Sequence, residues 1–313
     1  YAVGVQAPAT IDRHGIVRIL GWNILHGGSS RRLPRIALEM VSHDPDVVVI
    51  TEFRRTLGGQ VLGVLADRGL VHVAEAGDPG RGNRTAIVSR FPMDRGAGLD
   101  RVTMPECLSR RVLVRRIVVD ADDAFILTAA HLPDDWTPSN ALTGWAWLVG
   151  HAIGVKEDRH AIVGDLNGSR DAGQAGGTPR HVAHAMGRLW TAGYRDAFLE
   201  GGSSKDVVFS PETTWKSHWG HELRLDHAIL SASLSPRLLG AKYSHSPRME
   251  GVSDHSAVVV DLRREGGTED ATREKIGKNH EKAGIEPMFR TCQTASGAIE
   301  SRGSRRESSN FME

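Results

Sequence analysis

The chain has only two cysteines among its 313 residues, and they lie far apart in the sequence. Cys107 and Cys292 are too few for a disulfide scaffold, and they lack the paired spacing of a zinc or thioredoxin-like site. We therefore interpret both as free thiols, so the fold has to be stabilised by its core rather than by disulfide bonds.

The sequence also lacks a long apolar run and an excess of charge of either sign. No stretch approaches the roughly 18 apolar residues of a membrane span, which predicts a soluble chain. Lys and Arg number 39 against 38 Asp and Glu, so the chain lacks the bulk positive charge of a non-specific nucleic-acid binder. A polyanionic substrate would have to be held by local charge or by a metal ion.

The first residue is Tyr1 rather than Met, which leaves open the removal of a targeting segment. We expect a cytoplasmic protein, with a secreted form as the alternative, and we expect a monomer.

Short β-branched runs alternate with stretches of helical period, a pattern that is typical of a layered α/β fold. The predicted strands are residues 17–25, 46–51, 85–89, 111–119, 124–131, 160–164, 225–230 and 256–262. The predicted helices are residues 33–42, 59–68, 139–156 and 181–192. These elements define one domain over residues 17–263, after an N-terminal extension over 1–16. Residues 264–313 are polar and aperiodic, and we expect a disordered tail there.

Some of these strands contain an unbroken apolar run, such as Val-Val-Val-Ile within Asp-Val-Val-Val-Ile at 46–50. Such strands are buried on both faces, which favours packed sheets. The three strands between Thr85 and His131 have no helical pattern between them, and we expect them to be antiparallel neighbours in one mixed sheet. The polar, Gly-rich segments 168–177 and 201–205 are predicted to be substrate-facing loops.

Polar residues stand at the ends of the first two predicted strands. The first strand ends in Gly-Trp-Asn-Ile-Leu, which places Asn23 among core residues, and Glu52 follows the carboxyl end of the second, apolar one. Because burying an unpaired carboxylate is costly, a cation is a natural partner for Glu52. Taken alone, a buried amide such as Asn23 is more often a structural hydrogen-bonding group.

Two further strands deliver polar residues at their ends. His131 ends one strand, and Pro133 stops the ladder directly afterwards. Asp165 and Asn167 follow another strand, spaced so that both point the same way from an extended segment. Taken alone, the Gly-Asp-x-Asn string resembles any turn rich in these residues.

Two Asp-His pairs complete the series, Asp226 with His227 and Asp254 with His255. Adjacent Asp and His suit a site in which one carboxylate meets a metal while another orients the imidazole. Either pair alone could equally be a loop hydrogen-bond cluster. Six such motifs at successive strand ends are hard to explain as coincidence, and they predict one active site.

The chain resembles the endonuclease/exonuclease/phosphatase superfamily, which includes pancreatic-type deoxyribonucleases, exonuclease III, deadenylases, neutral sphingomyelinases and inositol polyphosphate 5-phosphatases. The matching strings, in the order of the superfamily, are Trp22-Asn23-Ile24, Thr51-Glu52-Phe53, Ala86 to Pro92, His131-Leu132, Gly164 to Asn167, Arg224-Leu225-Asp226 and Ser253-Asp254-His255. They cover about residues 17–262 and imply a four-layer α/β/β/α sandwich of two mixed sheets flanked by helices.

The resemblance also implies a metal site. Asn23 and Glu52 would hold a divalent cation, with Asp254 close to it. Oxygen ligands of this kind select a hard cation, so we expect Mg²⁺, with Mn²⁺ or Ca²⁺ as alternatives.

The remaining motifs are implied to act on the phosphate. Asp165 and Asn167 would position the attacking water and a phosphate oxygen, and His255, oriented by Asp226, would act on the nucleophile or the phosphate. His131 would contact the phosphate from the other side. The abasic-site repair branch usually has tyrosine at that position, so the chain looks closer to the deoxyribonuclease, deadenylase and sphingomyelinase side.

The leading hypothesis is thus an Mg²⁺-dependent phosphodiesterase, with DNA or RNA as the favoured substrate and endonuclease or exonuclease action. The first alternative is a sphingomyelinase or an inositol-polyphosphate phosphatase. The second alternative is a non-catalytic binding module of the same fold. Every expected catalytic position is filled, which argues against this alternative.

Other motifs carry weaker signals. His221-Glu222 lacks the second His of a zinc-protease helix, and the Gly-containing segment 80–85 leads into a strand, which favours a plain turn over a nucleotide-binding loop. Four arginines at 110, 111, 115 and 116 form a basic patch that could meet phosphates, although a solvated strand face accounts for at least half of them.

Overall fold

The computed structural model describes residues 15–78, 80, 82–95, 103–134, 138–168, 180–201, 213–217, 220 and 222–265. The predicted N-terminal extension up to residue 14, most of the predicted tail, most of both predicted loops and Cys292 lie outside the described residues. In the described part of the chain, no helix combines the length and apolar character needed to cross a membrane.

The strands, in chain order, are β1 (Ile16–Asn23), β2 (Val47–Phe53), β3 (His72–Glu75), β4 (Arg84–Ser89), β5 (Met93–Asp94), β6 (Val112–Val118), β7 (Ala124–His131), β8 (His160–Asp165), β9 (Arg195–Asp196), β10 (Trp215–Lys216), β11 (Glu222–Leu223), β12 (Asp226–Leu230), β13 (Leu238–Ser244) and β14 (Ala257–Arg263). The α-helices are α1 (Leu33–Ser42), α2 (Arg55–Ala66), α3 (Pro138–Gly154), α4 (Arg180–Thr191), α5 (Ala197–Gly201) and α6 (Ser246–Met249).

Two six-stranded sheets form the centre of the fold. The first sheet has the order β13-β14-β1-β2-β4-β3, and the second has the order β5-β6-β7-β8-β12-β9. In each sheet one central pair is parallel, β1 with β2 and β7 with β8, and the other pairs are antiparallel. Both sheets are therefore mixed, and β10 and β11 form a separate two-stranded ribbon.

Alternating side chains of the strands divide the core into three apolar layers. Val47 and Val49 point into a cluster between the two sheets, where they meet residues such as Leu127 and Val163 of the second sheet. The intervening Val48 and Ile50 face α1 and α2 on the other side of the first sheet. The outer face of the second sheet packs against α3 and α4 in a third cluster. This arrangement is the predicted four-layer α/β/β/α sandwich.

The helices follow the expected hydrophobic period. In α1 the buried residues Leu33, Ile36, Ala37 and Met40 recur at the spacing of one helical face. Full burial of one such aliphatic side chain contributes about 1.5–3 kcal/mol, so this face is enough to fix the helix on the first sheet.

The element predictions are confirmed apart from three differences. α2 covers Arg55–Ala66 instead of the predicted residues 59–68, and Gly58 in its first turn lies against the ring of Phe53, where a Cβ atom would collide. β3, β13 and the short elements carry no clear alternation and were not predicted, and β1 covers residues 16–23 instead of the predicted 17–25.

The third difference concerns the strands between Thr85 and His131. β6 and β7 are antiparallel neighbours as predicted, but the prediction was wrong for β4, which belongs to the first sheet. The chain passes from one sheet to the other between Ser89 and Met93. Pro92 lies in this segment and has no backbone N–H to donate to a neighbouring strand. Hydrophobic alternation indicates a strand but not the sheet that it joins.

Candidate active site

Three of the predicted residues lie in one row across the second sheet. β7 ends at His131 and is parallel to β8, which ends at Asp165, and the register pairs these two residues. β12 is antiparallel to β8, so its first residue, Asp226, pairs with Asp165 at the same edge. Residues paired across a sheet share a face, so the three side chains project together.

The first sheet brings its own polar residues to a neighbouring position. β1 ends at Asn23, which pairs with Thr51 of the parallel β2, directly before Glu52. β14 is antiparallel to β1, so the residues that precede it, Asp254 and His255, reach the same end of the sheet. Both sheets therefore present their functional residues at one edge of the sandwich.

The backbone is irregular where Glu52 and Asn167 occur. The register between β2 and β4 shifts between Ile50 and Phe53, and Glu52 has a φ of 56° in the left-handed region. Such a bulge re-aims a side chain, and non-glycine residues in this region store strain that the surroundings must offset. Asn167, with a φ of 46°, is fixed by its N–H to Asp165 Oδ1 at 3.0 Å and its Nδ2 to the carbonyl of Leu132 at 2.8 Å.

Asp165 lies at the centre of the cluster. Its Oδ2 accepts a hydrogen bond from Asn23 Nδ2 at 3.0 Å and is 3.7 Å from the Nε2 atoms of both His131 and His255. The same Nδ2 lies 3.3 Å from Glu52 Oε1. Asn23 thus bridges the carboxylates of Glu52 in the first sheet and Asp165 in the second. The two imidazole Nε2 atoms face Asp165 Oδ2 at more than hydrogen-bonding distance.

His255 is held by the second sheet although it belongs to the first. Its Nδ1 lies 2.8 Å from Asp226 Oδ2, and its backbone N–H donates to Ser253 Oγ at 3.1 Å. Asp226 is fixed in turn by Thr214 Oγ1 on its N–H and by Tyr243, whose hydroxyl donates to its carbonyl at 2.9 Å. The imidazole therefore has one orientation, with Nε2 on the side of Asp165.

The charges of these groups depend on one another. Burial alone would lower the pKa of His255, but Asp226 and Asp165 outweigh it and raise the pKa to about 10. Burial, with the added effect of Asp226, raises the pKa of Asp165 above that of an ordinary aspartate. Burial together with the Arg111 charge lowers the pKa of His131 despite Asp165. At neutral pH His255 is accordingly cationic and His131 neutral.

Glu52 and His131 also line an open cleft of about 490 Å³. Its other walls are formed by His26, Asn83, Arg84, Glu106, Cys107, Ser109, Arg110, Arg111 and Asp134. Burial opposes ionisation of Glu52, but His131 and the backbone N–H of His26 outweigh it and lower the pKa of this carboxyl. Glu52 is therefore a carboxylate at neutral pH in the lining of the cleft.

A model of the Endonuclease/Exonuclease/phosphatase family matches residues 20–255. The chain belongs to this family. Family members are hydrolases that act on phosphoester bonds, generally with a divalent metal. The matched region contains every residue of the cluster described above.

Solved structures of the same fold are distant in sequence. A 3′ phosphatase from Neisseria bound to a product DNA hairpin is 17% identical with a TM-score of 0.61, over 79% of this chain and 99% of that chain. An AP endonuclease from Archaeoglobus fulgidus is 16% identical with a TM-score of 0.61, over 78% and 98%. A family member from Beutenbergia cavernae is 20% identical with a TM-score of 0.59, over 80% and 72%. No curated protein matches the chain in sequence.

The cluster has the donor groups that a divalent cation of this family requires. Among the described residues, Asp226 Oδ1 and Asp254 Oδ1 are buried oxygens without a hydrogen-bond partner. A carboxylate oxygen of Asp165 and one of Asp226 also lie within 4.8 Å of each other and of a ring nitrogen of His255. Buried, unsatisfied carboxylate oxygens are costly without a cation, so the residues fit such an ion.

The structure brings the predicted metal ligands Asn23, Glu52 and Asp254 to the same edge, but their hydrogen-bond partners differ. Asn23 presents its NH₂ group to the carboxylates, and its Oδ1 accepts the N–H of Leu25 at 3.0 Å. Asp254 lies on the His255 side, with Oδ2 accepting the indole N–H of Trp215 at 3.2 Å. The assignment of these three residues as ligands stays a prediction.

Several residues of the site carried no recognised signal in the sequence. His26 and Asn83 both contact Glu52, and Trp215 contacts Asp254. Asn83 lies in the segment interpreted as a plain turn. The asparagine directly before β4 was the available clue, since an amide there reaches the bulged end of β2.

The basic patch divides between two locations. Arg110 and Arg111 line the cleft beside His131, whereas Arg116 lies on an exposed strand face and pairs with Asp94 at 3.3 Å. A solvated strand face was expected for at least half of the four arginines, and Arg116 is the one that fits this expectation clearly.

Proposed function

We propose that this protein is a divalent-metal-dependent phosphodiesterase that acts on nucleic acid. The observation that carries the proposal is the position of Asp165 Oδ2, which lies 3.7 Å from both His131 Nε2 and His255 Nε2. A buried carboxylate between a neutral and a cationic imidazole can accept a proton while a phosphate oxygen is held by the imidazoles.

The cation would be held by carboxylate oxygens that the first sheet supplies, from Glu52 and Asp254. With a pKa of about 10, His255 keeps its proton at neutral pH and has no lone pair to offer. The available oxygens are Glu52 Oε1, which accepts only one long hydrogen bond at 3.3 Å, and Asp254 Oδ1, which accepts none among the described residues. A divalent cation there would neutralise phosphate charge and act as a Lewis acid on a phosphate oxygen.

The protein residues would handle the proton and the developing charge. As the oxygen of a water molecule bonds to phosphorus and the ester P–O bond breaks, Asp165 takes the proton of that water, and the departing oxygen takes one from solvent. Its burial-raised pKa makes Asp165 a stronger base than an ordinary aspartate. His255, fixed by Asp226, offers a positive charge to the phosphate, and His131 offers a neutral N–H donor.

A nucleic-acid substrate is supported by the cleft and by the structural relatives. Arg110 and Arg111 line the cleft next to His131, where a flanking phosphate of a polynucleotide would need positive charge. Relatives of this fold include a phosphatase bound to a DNA hairpin and an AP endonuclease. Because the chain has no bulk positive charge, recognition would rest on this local patch and on the cation.

The test is a panel of plasmid DNA, RNA, sphingomyelin and inositol phosphates, each incubated with Mg²⁺ and with EDTA, using the protein and His255→Ala. We expect nucleic-acid cleavage that EDTA abolishes and that His255→Ala lowers by at least about 100-fold. Release of phosphocholine or inorganic phosphate without cleavage of nucleic acid would move the substrate to the lipid or inositol class. Activity that survives chelation would contradict the metal-dependent mechanism.

A further inference from the structure

The two carboxylate oxygens of Glu52 have different surroundings. Oε2 accepts the backbone N–H of His26 at 2.6 Å and Asn83 Nδ2 at 2.9 Å, and it lies 2.8 Å from His26 Nδ1. Oε1 accepts only Asn23 Nδ2, at 3.3 Å, among the described residues. The donors therefore occupy Oε2 and leave Oε1 on the side of Asn23 and Asp165.

Asn83 is oriented by a second group that faces it from the other side. Arg54 Nε donates to Asn83 Oδ1 at 2.6 Å. A guanidinium can only donate and a carboxylate can only accept, so the amide of Asn83 has one orientation that satisfies both neighbours. Its NH₂ group must therefore point to Glu52, without any ambiguity between the amide oxygen and nitrogen.

A buried arginine, Arg84, fixes the backbone of the segment that leads to Asn83. The guanidinium of Arg84 donates to the carbonyl oxygens of Asp78 at 3.1 Å and Gly80 at 2.6 Å, and it lies 3.4 Å from Glu75 Oε2. Arg84 is only 2% exposed. A hydrogen-bonded turn of this kind places the side chain of Asn83 with little freedom.

We infer that Asn83, oriented by Arg54, is a positioning residue that occupies Glu52 Oε2 and leaves Oε1 as the single oxygen of Glu52 for the divalent cation. This inference rests on the proposed function, because it takes Glu52 as a cation ligand. Groups that hydrogen-bond to a metal ligand orient it, and their loss lowers metal affinity by about 10- to 100-fold. Asn83 itself does not have to touch the substrate or the cation.

The experiment measures Mn²⁺ and Mg²⁺ binding by isothermal titration calorimetry on metal-free full-length protein. It compares the protein with Asn83→Ala, with Arg54→Ala, and with Asn140→Ala in α3 as the matched control. Nucleic-acid hydrolysis is then followed as a function of Mg²⁺ concentration. The two readouts separate cation affinity from catalysis at saturating cation.

We expect Asn83→Ala to weaken cation binding by about 10- to 100-fold, and Arg54→Ala to weaken it less, with Asn140→Ala unchanged. The Mg²⁺ concentration for half-maximal rate should rise in the same proportion, while kcat at saturating Mg²⁺ falls by less than about tenfold. A merely structural role would lower the Tm of the metal-free protein without changing the affinity.

Unchanged cation affinity in both Asn83→Ala and Arg54→Ala, with normal binding by the unsubstituted protein, would overturn this inference alone. Absence of cation binding by the unsubstituted protein would instead overturn the proposed function, and this inference with it. Should Asn83→Ala not fold, Arg54→Ala decides the question by the same measurement.

Discussion

His255 Nδ1 lies 2.8 Å from Asp226 Oδ2, although His255 precedes a strand of the first sheet and Asp226 begins a strand of the second. This contact joins the two sheets at the edge where the functional residues meet. It also offsets the repulsion between Asp226 and Asp165, which face each other across β8 and β12. The geometry of the site thus depends on a charged pair that spans the sandwich.

Asp226→Asn should lower both the pKa of His255 and the rate of hydrolysis. The substitution keeps the volume of the side chain but removes the negative charge that raises the pKa of His255 to about 10. We expect a clear fall in this pKa, followed by NMR titration of the ring proton, and a rate loss of about 100-fold or more. An unchanged titration of His255 would contradict the role assigned to Asp226.

Gly164→Ala should destabilise the fold strongly. Gly164 has a φ of 142°, and a Cβ atom there would collide with the carbonyl oxygen of Ala130 on β7. Strain and overpacking together should lower the free energy of unfolding by about 2–5 kcal/mol, measured in urea. The control is Gly187→Ala in α4, where a Cβ meets no atom within 4 Å and where Ala should stabilise by up to about 1 kcal/mol. Equal effects of the two substitutions would refute this explanation.

A buried histidine pair, His151 of α3 and His160 of β8, should make the protein sensitive to mild acid. His151 Nε2 lies 3.2 Å from Thr128 Oγ1, and His160 Nε2 lies 2.8 Å from the same oxygen. His160 Nδ1 lies 2.7 Å from the hydroxyl of Tyr194, which donates to the carbonyl of Ala152. Neutral imidazoles satisfy this chain with one proton for each bond, whereas an added proton would set two donors against each other.

The pH dependence follows from the direction of the shift. Burial lowers the pKa of His151 to about 4, so the unfolded chain binds more protons than the folded chain between that value and about 6.5. Above pH 6.5 His151 is neutral in both states and does not lower the free energy of unfolding. As the pH falls toward 4, the unfolded chain gains the proton first, and the free energy of unfolding falls by about 3 kcal/mol. Urea unfolding of the protein and of His151→Gln at pH 7 and pH 4.5 checks this. A His151→Gln variant with an unaltered pH dependence would count against it.

The sequence pointed to polar residues that the structure gathers at one edge of the sandwich, but not to their detailed contacts; their roles stay predictions. Asn23, Glu52, His131 and Asp165 could be found because each follows an apolar strand, and strand ends of one sheet gather at an edge. The bulge that turns Glu52 into the left-handed region depends on pairing with β4, which is a long-range property.

The same limit explains the contacts of Glu52 that the sequence did not predict. His26 and Asn83 lie outside the matching motifs, and only the tertiary fold brings them to the Glu52 carboxylate. The expectation that β4 shares one sheet with β6 and β7 was wrong for a related reason, since nothing local to residues 85–89 distinguishes the two sheets.

The most direct test of the account compares plasmid cleavage by Asp165→Asn and Asp261→Asn at saturating Mg²⁺. Asp261 forms a two-bond ion pair with Arg18, at 2.6 and 2.8 Å, toward the other end of β1 from Asn23, so its loss perturbs the fold without touching the site. We predict that Asp165→Asn lowers the cleavage rate by at least about 100-fold while Asp261→Asn stays within about threefold of the unsubstituted protein. Cleavage by folded Asp165→Asn at the rate of Asp261→Asn would contradict the central role of Asp165.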